Sequence, residues 1–247
     1  MLSAMKRVAA PETIALRVIG RIESCFRQKF ATPRQPHLAP GSTARLSIDP
    51  ALLPEHSLKG LEEFSHVWLI FHFHLNTNKV FRPKIHPPRL RGKTIGVFAT
   101  RSPHHPAPIG LTLARLERIE GAVLYLAGID LIDGTPILDV KPYIPQYDCV
   151  PSAAAGWTQR VPPNDMDVVF GAGALKDLWR AADSAALRSL ITDVLRYDPR
   201  NMRDRAQMRE GKELAFLLHD CDVRFHIRGR TATITAIEHG ATRPPHR

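Results

Sequence analysis

The stretch DLIDGTPILDVKPY, residues 130–143, joins a tight turn to a strand. Asp130 and Asp133 flank the Gly134 turn, and Ile137, Leu138 and Val140 then return to an apolar strand. Upstream stands ATRSPHHPAPIG, residues 99–110, in which Arg101 is followed by Pro103, Pro106, Pro108 and Gly110. Proline fixes φ and removes a donor, so this run is a shaped, rigid loop. A charged residue and two histidines, His104 and His105, held by such a loop mark a binding surface rather than packing. Two rigid polar loops leaving two strands make a pocket wall.

Around these blocks, residues 1–158 read as short strands separated by Pro/Gly turns. Ile14, Leu16 and Val18 alternate with Ala15, Arg17 and Ile19, which predicts a period-two strand. Ala44, Leu46 and Ile48 repeat the pattern, as do Val67, Leu69, Phe71 and Phe73. Further strands are expected over residues 94–99, 112–118, 123–127 and 136–140. Residues 58–64 read as a short helical turn. Residues 21–41, with Pro33, Pro36 and Pro40, read as a long ordered loop, a length that usually carries function. Many short strands without helical partners predict a mainly β barrel or sandwich, not a βαβ fold.

Residues 159–247 read as a small C-terminal α+β domain. Leu175, Leu178, Leu187, Leu190, Ile191 and Val194 have helical spacing, with Asp183 and Ser184 separating two helices by capping the second. Val223, Phe225 and Ile227, a turn over residues 228–230, and Ala232, Ile234 and Ala236 make a hairpin.

Of the 247 residues, 44% are hydrophobic and 23% charged, an ordinary globular composition. The formal net charge of +10 favours an anionic partner, most commonly nucleic acid. Cys25, Cys149 and Cys221 are odd in number and widely spaced, so a reducing, cytoplasmic compartment is expected. No apolar run approaches the roughly 20 residues of a spanning helix, and the N-terminus lacks the apolar core of a secretory signal. No GxGxxG follows a strand and no Walker A motif occurs, which disfavours a dinucleotide-type fold.

The two blocks, together with FATPRQP (residues 30–36), GLEEFSHVWLIFHFH (60–74), RPKIHPPRLRG (82–92) and weaker tail matches YDPR (197–200) and HDCDVRF (219–225), resemble the TsaA-like (TrmO) family of S-adenosylmethionine-dependent tRNA methyltransferases. The resemblance implies a TsaA-like β-barrel, S-adenosylmethionine as cofactor, tRNA as partner and a homodimer with the cofactor near the subunit contact. It implies methyl transfer to N6 of a threonylcarbamoyl-modified adenosine beside the anticodon. The family's cofactor-contacting positions match Pro33, Arg34, Gln35, His74, Leu75, Arg101, Leu111, Asp133, Gly134, Thr135 and Pro136. Arg101 suits either bidentate contact with a carboxylate or stacking on adenine, and Gln35 both donates and accepts, as an adenine edge requires. By spacing alone, Asp133 to Pro136 is simply a strong turn.

Lys141, Tyr143, Arg200, Arg203 and Arg205 are candidate nucleic-acid contacts, within a wider basic set in the tail and a second one at Lys84, Arg89, Arg91 and Lys93. Tyr147 and Trp157, like Tyr143, offer faces on which a base can stack, though packing is the commoner use of such residues. Asp133 and Tyr143 are candidate proton acceptors; the sequence identifies no catalytic base. His72 and His74 share a strand face and form a possible ligand pair, but no third ligand stands at a fixed spacing, so no metal is expected. Two other classes stay open at this point: a non-catalytic RNA-binding module and a histidine-based metal hydrolase.

Overall fold

A computed structural model describes residues 12–77, 80–90, 92–161, 165–200 and 209–241. Six strands close into an antiparallel barrel in the order β1 (Gly20–Ser24), β2 (Thr43–Ile48), β7 (Val123–Ala127), β6 (Ile109–Glu120), β3 (His66–His72) and β8 (Pro136–Pro142). A two-stranded ribbon of β4 (Lys84–Ile85) and β5 (Ile95–Gly96) stands in the connection between β3 and β6. The barrel thus confirms a mainly β chain. Alternation explains it directly: β2 buries Ala44, Leu46 and Ile48, and β3 buries Val67, Leu69 and Phe71. These side chains, with Ile22, Ala114, Leu116, Leu124, Leu126 and Ile137, fill the barrel interior.

Three expectations are corrected. Residues 14–19 form no strand: Ile14, Leu16 and Val18 are 77%, 56% and 38% exposed, and ladder bonding begins only at Ile19, whose amide donates to the Ile137 carbonyl. Their alternation is real but has no partner strand. The loop expected over residues 21–41 is shorter, because its first residues pair in β1 with β2 and β8. The strand expected over residues 94–99 is only β5 followed by a single turn of 3-10 helix, Val97–Ala99.

Short helices α1 (Pro54–Ser57), α2 (Pro145–Asp148) and α3 (Trp157–Arg160) stand in the connections that precede β3 and follow β8. The C-terminal part is a four-stranded sheet in the order β10 (Glu213–Leu218), β11 (Cys221–Arg228), β12 (Thr231–Glu238) and β9 (Asp167–Phe170), with α4 (Ala172–Leu178) and α5 (Ser184–Arg196). Asp183 caps α5 as expected, its Oδ1 accepting the Ala186 amide at 2.9 Å. The parallel strand β9 and the strand β10 were not foreseen. A second hydrophobic core forms here, and it draws in Cys25, Phe26, Ala31 and Ala39 from the connection between β1 and β2. Phe30 stacks on Phe225 at 6.4 Å, and the His219 amide donates to the Cys25 carbonyl. The connection from the barrel is therefore anchored in the other half of the molecule.

Gly110 sits where β6 passes under Phe71, and a Cβ there would collide with that ring. The ring is buried and packed edge-on against Phe73 at 4.9 Å, so it has little room to move. Gly110→Ala is expected to destabilise the barrel by about 1–3 kcal/mol, which a lowered urea midpoint would register.

Candidate functional site

The strand directions gather the candidate residues. In the closed antiparallel barrel β1, β3 and β7 run one way and their partners run the other. The connections β1–β2, β3–β6 and β7–β8 therefore all emerge at one rim. The first carries Pro33, Arg34 and Gln35; the second carries His74, Leu75 and Arg101; the third carries Asp130, Asp133, Gly134 and Thr135. Pro136 opens β8 and Leu111 lies near the start of β6 at the same rim.

The turn is fixed by its own chemistry. Gly134 has φ +77°, where a side chain is strained. Its amide donates to the Ile22 carbonyl at 2.8 Å, and the Thr135 hydroxyl donates to the Ile132 carbonyl at 2.6 Å. Asp133 accepts the Ser24 amide at 2.9 Å and pairs with Arg27 at 2.5 Å. Both oxygens are thereby occupied, so Asp133 shapes the turn and is a poor proton acceptor. Arg21 donates to the Gly134 carbonyl at 3.1 Å, and Lys29 donates to the Leu75 carbonyl at 2.5 Å. Burial, then the charges of His72, Arg21 and Lys29, lower the pKa of His74. β3 ends at His72 and His74 lies in the turn beyond, so the two histidines do not share a strand face as the alternation implied. Among the described residues no three His, Cys, Asp or Glu side chains gather as metal ligands.

The Arg101 loop meets the Gln35 loop. Arg101 Nη1 donates to Gln35 Oε1 at 3.2 Å, and Arg34 Nη2 donates to the Arg200 carbonyl at 3.1 Å. Asn76 Nδ2, one residue past Leu75, donates to the Pro103 carbonyl at 2.6 Å and so ties the His74 turn to the Arg101 loop. Trp157 supports that loop from outside through a bond from Nε1 to the Ala99 carbonyl, so it serves packing here. An open concavity on the adjoining outer wall is lined by Glu23, Arg27, Arg45, Arg118, Tyr125 and Asp133 among others; of the cofactor candidates it touches only Asp133.

Asp130, by its spacing only a flank of the turn, is the residue that the structure singles out. Its Oδ1 is buried beside the hydroxyl of Thr112 on the inward face of β6, and among the described residues neither oxygen has a partner other than its neighbour. Burial raises its pKa to about 6, against the opposing pull of the Thr112 hydroxyl and the Arg101 charge. The folded pKa lies above the ordinary 3.8, so ionisation is penalised in the fold and stability is lost as pH rises from about 4 through about 6. The penalty above that window is of the order of 2–3 kcal/mol. Asp130→Asn is expected to melt at a higher temperature than wild type near pH ~8, with the gap closing below pH ~4; thermal scans across pH check this.

The proposed nucleic-acid contacts lie elsewhere. Tyr143 follows β8, and its amide donates to the His66 carbonyl at the far end of β3. Seven residues of strand place it roughly 23 Å from Pro136, at the opposite rim, so within one chain it does not reach the Arg101 loop. Trp68 packs edge-on to it at 5.9 Å. Lys141 pairs with Asp139 at 2.9 Å. Arg200 is held by Asp198 through Nε at 2.9 Å and Nη2 at 3.0 Å. Arg203, Arg205 and Arg91 lie outside the described residues. Among the other basic residues, Arg196 pairs with Asp165, Arg224 with Glu238, and Arg89 donates to the carbonyls of Thr158 and Val161.

Three loops on one rim of a closed barrel, with a nucleotide-type crevice absent from the described sheets, define a β-barrel binding protein whose site is built from connections rather than from strand ends of a parallel sheet. The chain belongs to the TrmO family: residues 21–149 match the tRNA-methyltransferase O N-terminal domain and residues 163–240 the TrmO C-terminal domain. It is 37% identical over 226 residues to a tRNA (adenine(37)-N6)-methyltransferase of Escherichia coli K12, covering 89% of this chain and 96% of the relative. It is 41% identical over 217 residues to a putative S-adenosylmethionine-dependent methyltransferase of Pseudomonas aeruginosa, covering 87% and 93% respectively. A mouse tRNA (adenine(37)-N6)-methyltransferase is 58% identical over 132 residues, but these are 53% of this chain and only 31% of the mouse protein. A crystal structure of TrmO from Pseudomonas aeruginosa superposes with a TM-score of 0.76 at 36% identity, covering 92% of this chain and 99% of that one.

Proposed function

We propose that this chain transfers a methyl group from S-adenosylmethionine to N6 of the adenosine beside the anticodon of tRNA, and that the adenosine carries a threonylcarbamoyl group. The observation that carries the reading is the convergence at one rim of every cofactor-matched residue, Pro33, Arg34, Gln35, His74, Leu75, Arg101, Leu111 and the turn from Asp133 to Pro136. The names of the relatives over both family domains support methyl transfer to N6 of an adenosine of tRNA, and the threonylcarbamoyl group follows from the resemblance alone.

The donor set is a fit test for the cofactor: Arg101 offers a guanidinium to a carboxylate and Gln35 an amide to an adenine edge, on two loops that meet at 3.2 Å. When bound, S-adenosylmethionine supplies an electrophilic methyl group on sulfur. The chain holds and orients it: Arg101 for a carboxylate, Gln35 for the adenine edge, and the rigid turn as a wall. A target in an exposed anticodon loop is splayed out at low cost.

The reading extends to a homodimer. Phe98, Ile109 and Leu111 are 75%, 42% and 45% exposed beside the rim, apolar surface that a second copy would cover. It places residues 1–158 at the cofactor and residues 159–247 beside tRNA, with the net charge of +10 favouring that partner. Free Cys25, Cys149 and Cys221 fit a cytoplasmic setting. Among the described residues no helix is long and apolar enough to cross a membrane.

Mass spectrometry of anticodon-loop nucleosides from cells with and without this gene tests the proposal. Loss of the methylated threonylcarbamoyladenosine peak is expected. An unchanged peak contradicts the substrate assigned.

A further inference from the structure

Charge is unevenly spread along this chain. All 24 Asp and Glu residues lie outside Phe64 to Leu116, a stretch in which Lys and Arg recur. That stretch folds into β3, much of β6 and the long connection between them, which carries both Arg101 and the β4–β5 ribbon. On the barrel wall cations are neutralised by neighbours: Arg17 by Asp49, Arg45 by Glu23 and Arg115 by Glu117. The basic candidates Lys141 and Arg200 are likewise held by Asp139 and Asp198. In the ribbon, by contrast, Arg82, Lys84 and Lys93 are exposed, and among the described residues none of the three pairs with an acid.

The ribbon is also anchored. Lys84 stands opposite Gly96 across it, and the amide of the buried Val97 donates to the Pro83 carbonyl at 3.0 Å. Arg89 supports it from below, lying over the Trp157 ring at 5.5 Å and donating to the Thr158 carbonyl at 2.9 Å. Such a support leaves little to be ordered on binding. Phe81, next to Arg82 in the chain, keeps its ring 52% exposed. Unneutralised cations beside an exposed ring suit a single-stranded nucleic acid, which needs charge for its phosphates and a face for its bases.

We propose that the β4–β5 ribbon is an RNA-binding arm, with Arg82, Lys84 and Lys93 contacting phosphates and Phe81 stacking on an unpaired base. The ribbon leaves the barrel in the same connection as Arg101, so an RNA lying on it meets the rim that gathers the cofactor-matched residues. The inference rests on the RNA substrate proposed above, and its test separates the two.

Fluorescence anisotropy of a labelled anticodon-loop RNA hairpin titrated with the full chain tests it. A variant combining Arg82→Ala, Lys84→Ala and Lys93→Ala is expected to bind the hairpin about tenfold or more weakly. The slope of log affinity against log salt should shrink by about 2, as three lost phosphate contacts to a single strand imply. Phe81→Ala is expected to weaken binding about fivefold or more with the slope unchanged, and Phe81→Tyr, which keeps a ring, to bind as wild type does. A variant combining Arg17→Ala, Arg45→Ala and Arg115→Ala removes as many charges from paired positions on the wall and is expected to stay within about twofold of wild type. Circular dichroism should show every variant folded, and calorimetry should show wild-type affinity for S-adenosylmethionine. Equal weakening by the two triple variants overturns the assignment, because net charge then suffices, and so does unchanged hairpin binding by the ribbon variant. Loss of binding to phosphatidylserine vesicles in that variant, with hairpin binding kept, assigns the ribbon to a lipid surface instead. Each of these outcomes leaves the methyl-transfer reading standing. A folded wild type that binds no hairpin removes the RNA substrate itself, and the arm with it.

Discussion

Replacing Phe225 with alanine is expected to cost about 3–5 kcal/mol and, in addition, to weaken cofactor binding at a rim built by the other half of the chain. Phe225 is fully buried on β11, with its ring edge-on to Phe216 at 5.7 Å and stacked on Phe30 at 6.4 Å. Truncation removes transfer free energy and leaves a cavity that the surrounding sheet fills only in part. Phe30 stands three residues before Pro33, and Phe26, Ala31 and Ala39 share the same core. The loop carrying Pro33, Arg34 and Gln35 is therefore held by the C-terminal sheet, and loosening that sheet loosens the loop. Leu124→Ala is the matched control. Leu124 is equally buried, but in the barrel and toward the opposite rim, so it is expected to lower stability by about 2–5 kcal/mol without the same loss of affinity. Urea unfolding and cofactor affinity measured side by side check both. Equal affinity losses in the two variants would show a global effect instead of an anchored loop.

Arg101→Ala is expected to leave the fold within about 0.5 kcal/mol of wild type, as an exposed side chain with one side-chain bond to Gln35 should. Its effect on the cofactor is larger. A hydrogen bond to a charged group contributes about 1.5–3 kcal/mol, so affinity should fall roughly tenfold to a hundredfold. Arg101→Lys should recover only part of this, because an ammonium lacks the planar fork that meets both carboxylate oxygens. Equilibrium dialysis with labelled S-adenosylmethionine measures it. Full affinity in the lysine variant would argue for simple charge attraction, and full affinity in the alanine variant would remove Arg101 from the site.

Much of the barrel was legible because its strands are half-buried. Ala44, Leu46 and Ile48, or Val67, Leu69 and Phe71, announce an inward face by alternation alone. The same signal misled at Ile14, Leu16 and Val18, since alternation records which side chains could share a face and not whether a partner strand exists. β9 was missed because Asp167–Phe170 is short and pairs in parallel with a strand far along the chain. The site was legible as separate loops, not as one place: closure of β1 on β8 is a long-range event that no local pattern contains. Anchoring of the Gln35 loop in the second core had a faint signal, the apolar Phe26 and Phe30 within a proline-rich loop. Asp130 had another: the turn uses Asp133 alone, which leaves the first acid of DLID without a structural task.

The central claim is that the three loops at one rim hold S-adenosylmethionine, and titration calorimetry of the folded wild-type chain with that compound tests it most directly. One site per chain is predicted, with binding retained in the absence of tRNA. No heat and no bound ligand in a sample that is folded by circular dichroism would contradict it.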